Sequence, residues 1–242
     1  MARVKSPFGR RESTPASSEA ETSAASADPV SLAELAPSTV EILAQAAYIE
    51  LVLFQELSDL VTDAPRIDGK HAIGQVAGEA LERHESYLAR LAEEGGERET
   101  ELRRIGPAVD DLIEVVRGRD VEERLLSCFL VGGFLRDFNH ELAAFVPGAL
   151  QVKLEPLFDD AEEREALRHL LASMTEADAL LAPRLAMWGR RTMGDCMLFV
   201  RERFGLQRGR GARPAAAKLV ETFLAQLLAN HSRRMNSLGM SA

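Results

Sequence analysis

Residues 37–61 read PSTVEILAQAAYIELVLFQELSDLV. The stretch opens on a proline and two hydroxyls, then repeats its apolar side chains at intervals of three and four. Leu43, Ala46, Ala47, Phe54, Leu57 and Val61 fall on one face, the period of a helix with 3.6 residues per turn. Ser38 and Thr39 offer the capping oxygens that orphan amides at a helix start require. One position on the apolar face is charged. It is Glu50.

Working outward, the prolines punctuate the chain at 37, 65, 107, 147, 156, 183 and 214, with long proline-free stretches between them. Proline removes a backbone donor and breaks a helix interior, so this spacing predicts helices. Ile73, Val76, Ala77, Ala80, Leu81, His84, Leu88 and Leu91 mark the second helix, which Gly95-Gly96 ends. A shorter segment spans 99–116, interrupted early by Gly106-Pro107. Asp120 caps a strongly apolar helix over 121–145. Further helices are expected over 161–181, 183–204 and 214–236. No β-branched alternation and no internal repeat intervene. The expectation is an all-α fold of six long helices and a shorter linking one, packed as a bundle.

Residues 1–34 are rich in Ser, Ala, Glu and Pro and lack an apolar period, so they read as a disordered tail before a single domain over 35–242. The 242-residue chain is 46% hydrophobic and 28% charged, the balance of a globular protein. A net charge of -9 argues against a broad nucleic-acid surface. The one dense basic cluster is Arg208, Arg210 and Arg213, near Arg201 and Arg203; it reads as a solvated loop. Cys128 and Cys196 are too few for a disulfide scaffold and suit a reducing cytoplasm. The longest apolar run, 125–135, falls short of the roughly 20 residues of a membrane span.

Chemistry would have to come from polar residues set among apolar ones. These are Glu50, His84, the pair Asp137 and His140 three apart on the most apolar helix, and Glu176. Each has a plain reading. Glu50 can pair with an arginine or a helix terminus, His84 can be a hydrogen-bonded core histidine, and Glu176 can face water. Jointly they come from four helices, the plan of a carboxylate metal site inside a bundle.

Several motifs give the sequence a family likeness. They are Leu185-Ala186-Met187-Trp188-Gly189-Arg190-Arg191, the C-terminal His231-Ser232-Arg233-Arg234-Met235-Asn236-Ser237-Leu238-Gly239, Ala47-Tyr48-Ile49-Glu50-Leu51, and Asp137-Phe138 with Glu141. On these residues the chain resembles the ferritin-like proteins of actinobacteria grouped with the tRNA 2-methylthio-N6-isopentenyladenosine hydroxylase family. The resemblance covers residues 37–242. It implies a ferritin-like four-helix bundle with additional C-terminal helices.

It also implies a di-iron ligand set, which carries over only in part. Glu50 keeps the first-helix glutamate and His84 the second-helix histidine, but Leu81, Gly132 and Ser173 stand where carboxylates are expected. Glu176 stands for a histidine. Glu50, His84 and Glu176 remain as a set able to hold one divalent ion, iron or manganese. Asp137 and His140 would join only if their helix turned by one residue, about 100°.

Two functions follow as expectations. The first is a degenerate, metal-free bundle with a binding or structural role, paired as a homodimer or with a related bundle. The second is a metal-dependent oxygenase or hydroxylase with an altered ligand set. Trp188, Arg190 and Arg191 are expected to be structural, with Glu50 or Asp137 as partners for the arginines. A membrane and nucleic acid are not expected partners.

Overall fold

A computed structural model of the chain describes residues 36–205 and 214–241. The expected tail over 1–34 and the basic loop over 207–213 lie outside the described residues. Among the described residues nine α-helices follow in order: α1 (Thr39–Asp63), α2 (Ile67–Glu93), α3 (Arg98–Val116), α4 (Val121–Ser127), α5 (Gly133–Ala143), α6 (Gly148–Leu154), α7 (Ala161–Ala177), α8 (Leu181–Arg203) and α9 (Pro214–Ser237). A five-residue π segment, Cys128–Gly132, joins α4 to α5, and a 3-10 turn, Glu155–Phe158, follows α6. No strand occurs among the described residues. The fold is all-α.

Local chemistry sets the ends of these helices. Ser38 and Glu41 form a reciprocal capping box at the start of α1, each side chain bonding to the other's backbone amide. Asp120 accepts from the Glu123 amide at the start of α4. Gly95, at φ +80, turns the chain out of α2 in the left-handed conformation that glycine adopts without a Cβ clash.

Helices α1 and α2 pack along one another more extensively than any other pair. Helix α3 also packs directly on α1, α5 crosses α1, and α7 packs on α2, while α8 lies against α3 and α4 and α9 lies against α5 and α8. The core has two regions. One runs from Ile42–Leu53 of α1 through Phe134, Phe138 and Leu142 to α8 and α9. There the Phe138 ring meets Phe199, Phe204 and Phe223 edge-on at centroid separations of 5.8–6.2 Å. The other gathers Leu57, Leu60, Ile73, Leu125, Leu126, Leu171, Leu185 and Met235.

Several sequence expectations need correction. Gly106-Pro107 does not interrupt its helix; α3 runs through both. A Cβ on Gly106 would lie 2.9 Å from Cζ of Tyr48, so the glycine makes room for that ring. Tyr48 in turn donates to Asp110 and ties α1 to α3. Helix α2 begins six residues earlier than its apolar stripe. The helix expected over 161–181 stops at Ala177, and α6 was not foreseen because its seven residues carry too little period.

Candidate functional site

Four charged side chains meet in the interior. Glu50 comes from α1, Arg83 from α2, Arg136 from α5 and Glu163 from α7. Arg136 donates Nε to Glu50 Oε1 and Nη2 to Glu50 Oε2, both at 2.8 Å, and Nη1 to Glu163 Oε2 at 2.9 Å. Arg83 binds both oxygens of Glu163 and reaches Glu50 Oε2 from Nε at 3.3 Å. Two guanidiniums thus face two carboxylates, and the formal charges cancel.

Burial sets the stakes. Glu50 is 1% exposed. Burial alone would push its carboxyl up, but Arg136 and then Arg83 outweigh it and hold the group below the ordinary carboxylate range. Burial likewise opposes the Arg136 charge, and Glu50 followed by Glu163 more than restores it. An open cleft of about 500 Å³ reaches this cluster from outside, lined by Glu79, Glu82, Arg83, Asp160, Glu162 and Glu163. Glu79 stands there beside Glu163, and burial together with that neighbouring acid raises its carboxyl above the usual range. A second polar layer lies deeper, where buried Gln45 donates to Asn139 at 3.0 Å and accepts from Arg203 at 2.6 Å.

The π segment explains how Arg136 gets there. A π turn carries one residue more than an α turn, so it rotates everything after it by about 100°. Gly132 within the segment presses against Leu53 of α1, where an added Cβ would lie 2.8 Å from Cδ2. After the insertion Arg136 faces Glu50. Asp137, one residue on, faces α9 and accepts two hydrogen bonds from Arg234, each 2.8 Å.

The residues singled out from the sequence are therefore dispersed. Glu50 is in the cluster. His84 is buried beside it, but its Nδ1 bonds to the backbone carbonyl of Ala47 at 2.8 Å. Asp137 is held by Arg234, and His140 is exposed with its ring on Phe158. Glu176 is exposed near the end of α7, four turns from Glu163, and Ser173 is exposed with it. Leu81 is half-buried. The residues that converge with Glu50 are instead Arg83, Arg136 and Glu163. Their signal was present: the buried stripe of α2 runs Ala80, Arg83, His84, Tyr87, Leu88, and that of α7 runs Glu163, Leu167, Leu171.

The two longer motifs turn out to be the halves of one joint. Gly189 of α8 lies against Met235 of α9, and a Cβ there would come within 2.6 Å of the Met235 sulfur. The buried His231 ring lies at this joint near the Gly189 backbone, and its Nε2 has no hydrogen-bond partner among the described residues. Arg190 donates to the Ser241 carbonyl at 2.6 Å, and the Arg191 guanidinium sits 5.1 Å over the Trp188 ring. Trp188 donates to Ser127 Oγ at 2.9 Å. Glu50 and Asp137 are not the partners of Arg190 and Arg191, because Arg136 and Arg234 already engage them.

Residues 33–208 match the family described as ferritin-like domain, actinomycetes. The chain belongs to this ferritin-like family of actinomycetes. No curated protein matches the sequence. The family match covers the helices that carry the cluster and does not extend to a relationship with the tRNA hydroxylases.

Bundles of this kind build di-metal centres from inward-facing carboxylates and histidines. The interior of this family member does not fit that group. Two of its four converging side chains are permanent cations, and they engage the oxygens of the two carboxylates. Among the described residues, no three His, Cys, Asp or Glu side chains are placed to hold a metal ion together. No helix among them is long and apolar enough to cross a membrane.

Proposed function

We propose that the chain is a ferritin-like bundle with a non-catalytic binding or structural role, its centre closed by arginine in place of metal. One observation carries the reading: Arg136 takes both oxygens of Glu50 while Arg83 takes both of Glu163. A carboxylate whose lone pairs face fixed guanidiniums is a poor ligand, and a divalent ion entering there would meet two like charges. The cluster already supplies the counter-charge that two buried carboxylates require.

The alternative reading is a metal-dependent oxygenase or hydroxylase with an altered ligand set, its iron or manganese held at Glu50 with His84 nearby and without Glu176, which lies too far along α7. Metal analysis after expression in iron- and manganese-supplemented medium decides between them. The proposed role expects no stoichiometric metal. One or two ions per chain, lost on Glu50→Gln, would overturn it and restore the enzymatic reading. The motifs shared with the hydroxylase group support a common scaffold, and the charge of -9 offers a tRNA substrate no support.

A scaffold of this kind suits a second bundle as partner, a copy of itself or a related chain, and mass by light scattering tests that. Two free, buried cysteines suit a reducing cytoplasm.

A further inference from the structure

Beside the acidic cleft, a smaller cavity of about 340 Å³ opens between α5, α7 and α9. Its walls are Asp137, Arg164, Asn230, Arg233, Arg234 and Ser237. Three arginines around one carboxylate run against the acidic balance of the whole chain. The carboxylate is spent: each oxygen of Asp137 accepts one hydrogen bond from buried Arg234. Arg234 is thereby the neutralising partner, and what faces the cavity is the remainder.

That remainder consists largely of donors. Arg164 spends Nη1 on Asp160, and Arg233 spends Nη2 on Asn230 Oδ1. Among the described residues the other guanidinium nitrogens of Arg164 and Arg233 have no protein acceptor, and neither has Asn230 Nδ2. The two arginines come from different helices, one on each wall. Both guanidiniums are exposed; Arg233 has no carboxylate partner among the described residues, and Arg164 keeps Nη1 on the largely buried Asp160 while its other nitrogens face outward.

We propose that this cavity binds a doubly charged oxyanion, the phosphoryl group of a small molecule or free phosphate. Guanidinium matches such oxygens bidentately, and two guanidiniums on opposite walls can grip an oxyanion from both sides, with Arg233 supplying the surplus charge. The volume lies at the lower end of small-ligand sites, room for a phosphoryl group with a compact organic part. Bound Arg234 contributes by cancelling Asp137, which would otherwise repel the ligand. The site stands apart from the interior cluster and holds whichever reading of that cluster proves right.

The test is calorimetric titration of the full chain at pH 7.5 and low salt with inorganic phosphate and, separately, with phenyl phosphate. Saturable binding of either is expected, and the tighter of the two tells free phosphate from a phosphomonoester. Arg164→Ala and Arg233→Ala should each weaken it at least about tenfold, while Arg103→Ala on the distant surface of α3 leaves it unchanged. Neither guanidinium is buried, so both variants should melt as the wild type does. Absence of saturable binding for both probes, or wild-type affinity in either cavity variant, overturns the proposal.

Discussion

Arg136 holds both carboxylate oxygens of Glu50 from 86 residues away in the chain, at 2.8 Å each. The pair crosses from α5 to α1 and fixes where the two helices meet. Buried pairs of this kind add little over a well-packed apolar interior, but losing one member leaves a stranded charge.

Arg136→Met should therefore lower stability by about 3–5 kcal/mol in denaturant unfolding. Replacing all four members, Glu50→Leu, Arg83→Met, Arg136→Met and Glu163→Leu, should recover most of that loss. If the single variant unfolds within about 1 kcal/mol of wild type, the pair is not the closed interior contact described above.

His231 governs acid stability at the α8–α9 joint. Burial, followed by the charge of Arg234, pushes its imidazole down from 6.5 to about 4. The unfolded chain then binds the proton more readily than the folded one. The stabilisation is full above pH 6.5 and drains away as pH falls toward 4, by up to about 3 kcal/mol. His231→Asn keeps a polar side chain at the joint and cannot titrate. Its stability should fall less steeply over that window; parallel curves for the two proteins would refute the assignment.

Glu79 works in the opposite sense. Its folded value is raised, so its contribution is present below the unfolded value near 4.5 and is lost as pH climbs through the raised one. Above that point an ionised Glu79 faces Glu163. Glu79→Gln should be more stable than wild type at pH 7, by less than about 1 kcal/mol because the group is partly solvated. The two should converge near pH 4. A variant less stable at pH 7 would show that Glu79 is held by a cation instead.

Two glycines give a matched pair. Gly78 is exposed on α2 with nothing within 4 Å of an added Cβ, so Gly78→Ala should stabilise by about 0.5–1 kcal/mol. Gly189→Ala instead drives a methyl into Met235 and Leu130 and should cost about 1–3 kcal/mol. Thermal melts that move in the same direction for both would mean the α8–α9 joint is looser than it is drawn.

The all-α class was legible in residues 37–61 and their counterparts, because an amphipathic helix writes its buried face at a fixed interval along the chain. Glu50 was legible too, as a charge on an apolar stripe. Ser38 announced its cap and Gly95-Gly96 its stop. These are local rules, and each needs only a few neighbours in sequence.

Partners were a different matter. Arg83 lies one residue from His84, and both positions fall on the stripe, but a reading that counts apolar residues passes over a charged one. Arg136 lies one residue from Asp137, and a single π insertion exchanges which of them faces Glu50. The sequence of 128–133 marks that insertion only by two adjacent glycines, and the turn forms because Gly132 lets α4–α5 close on Leu53. Whether Glu50 meets a metal or a guanidinium depends on helix rotation and on side chains brought from three other elements. Those quantities are set by packing between distant segments, so the tertiary structure alone decided them.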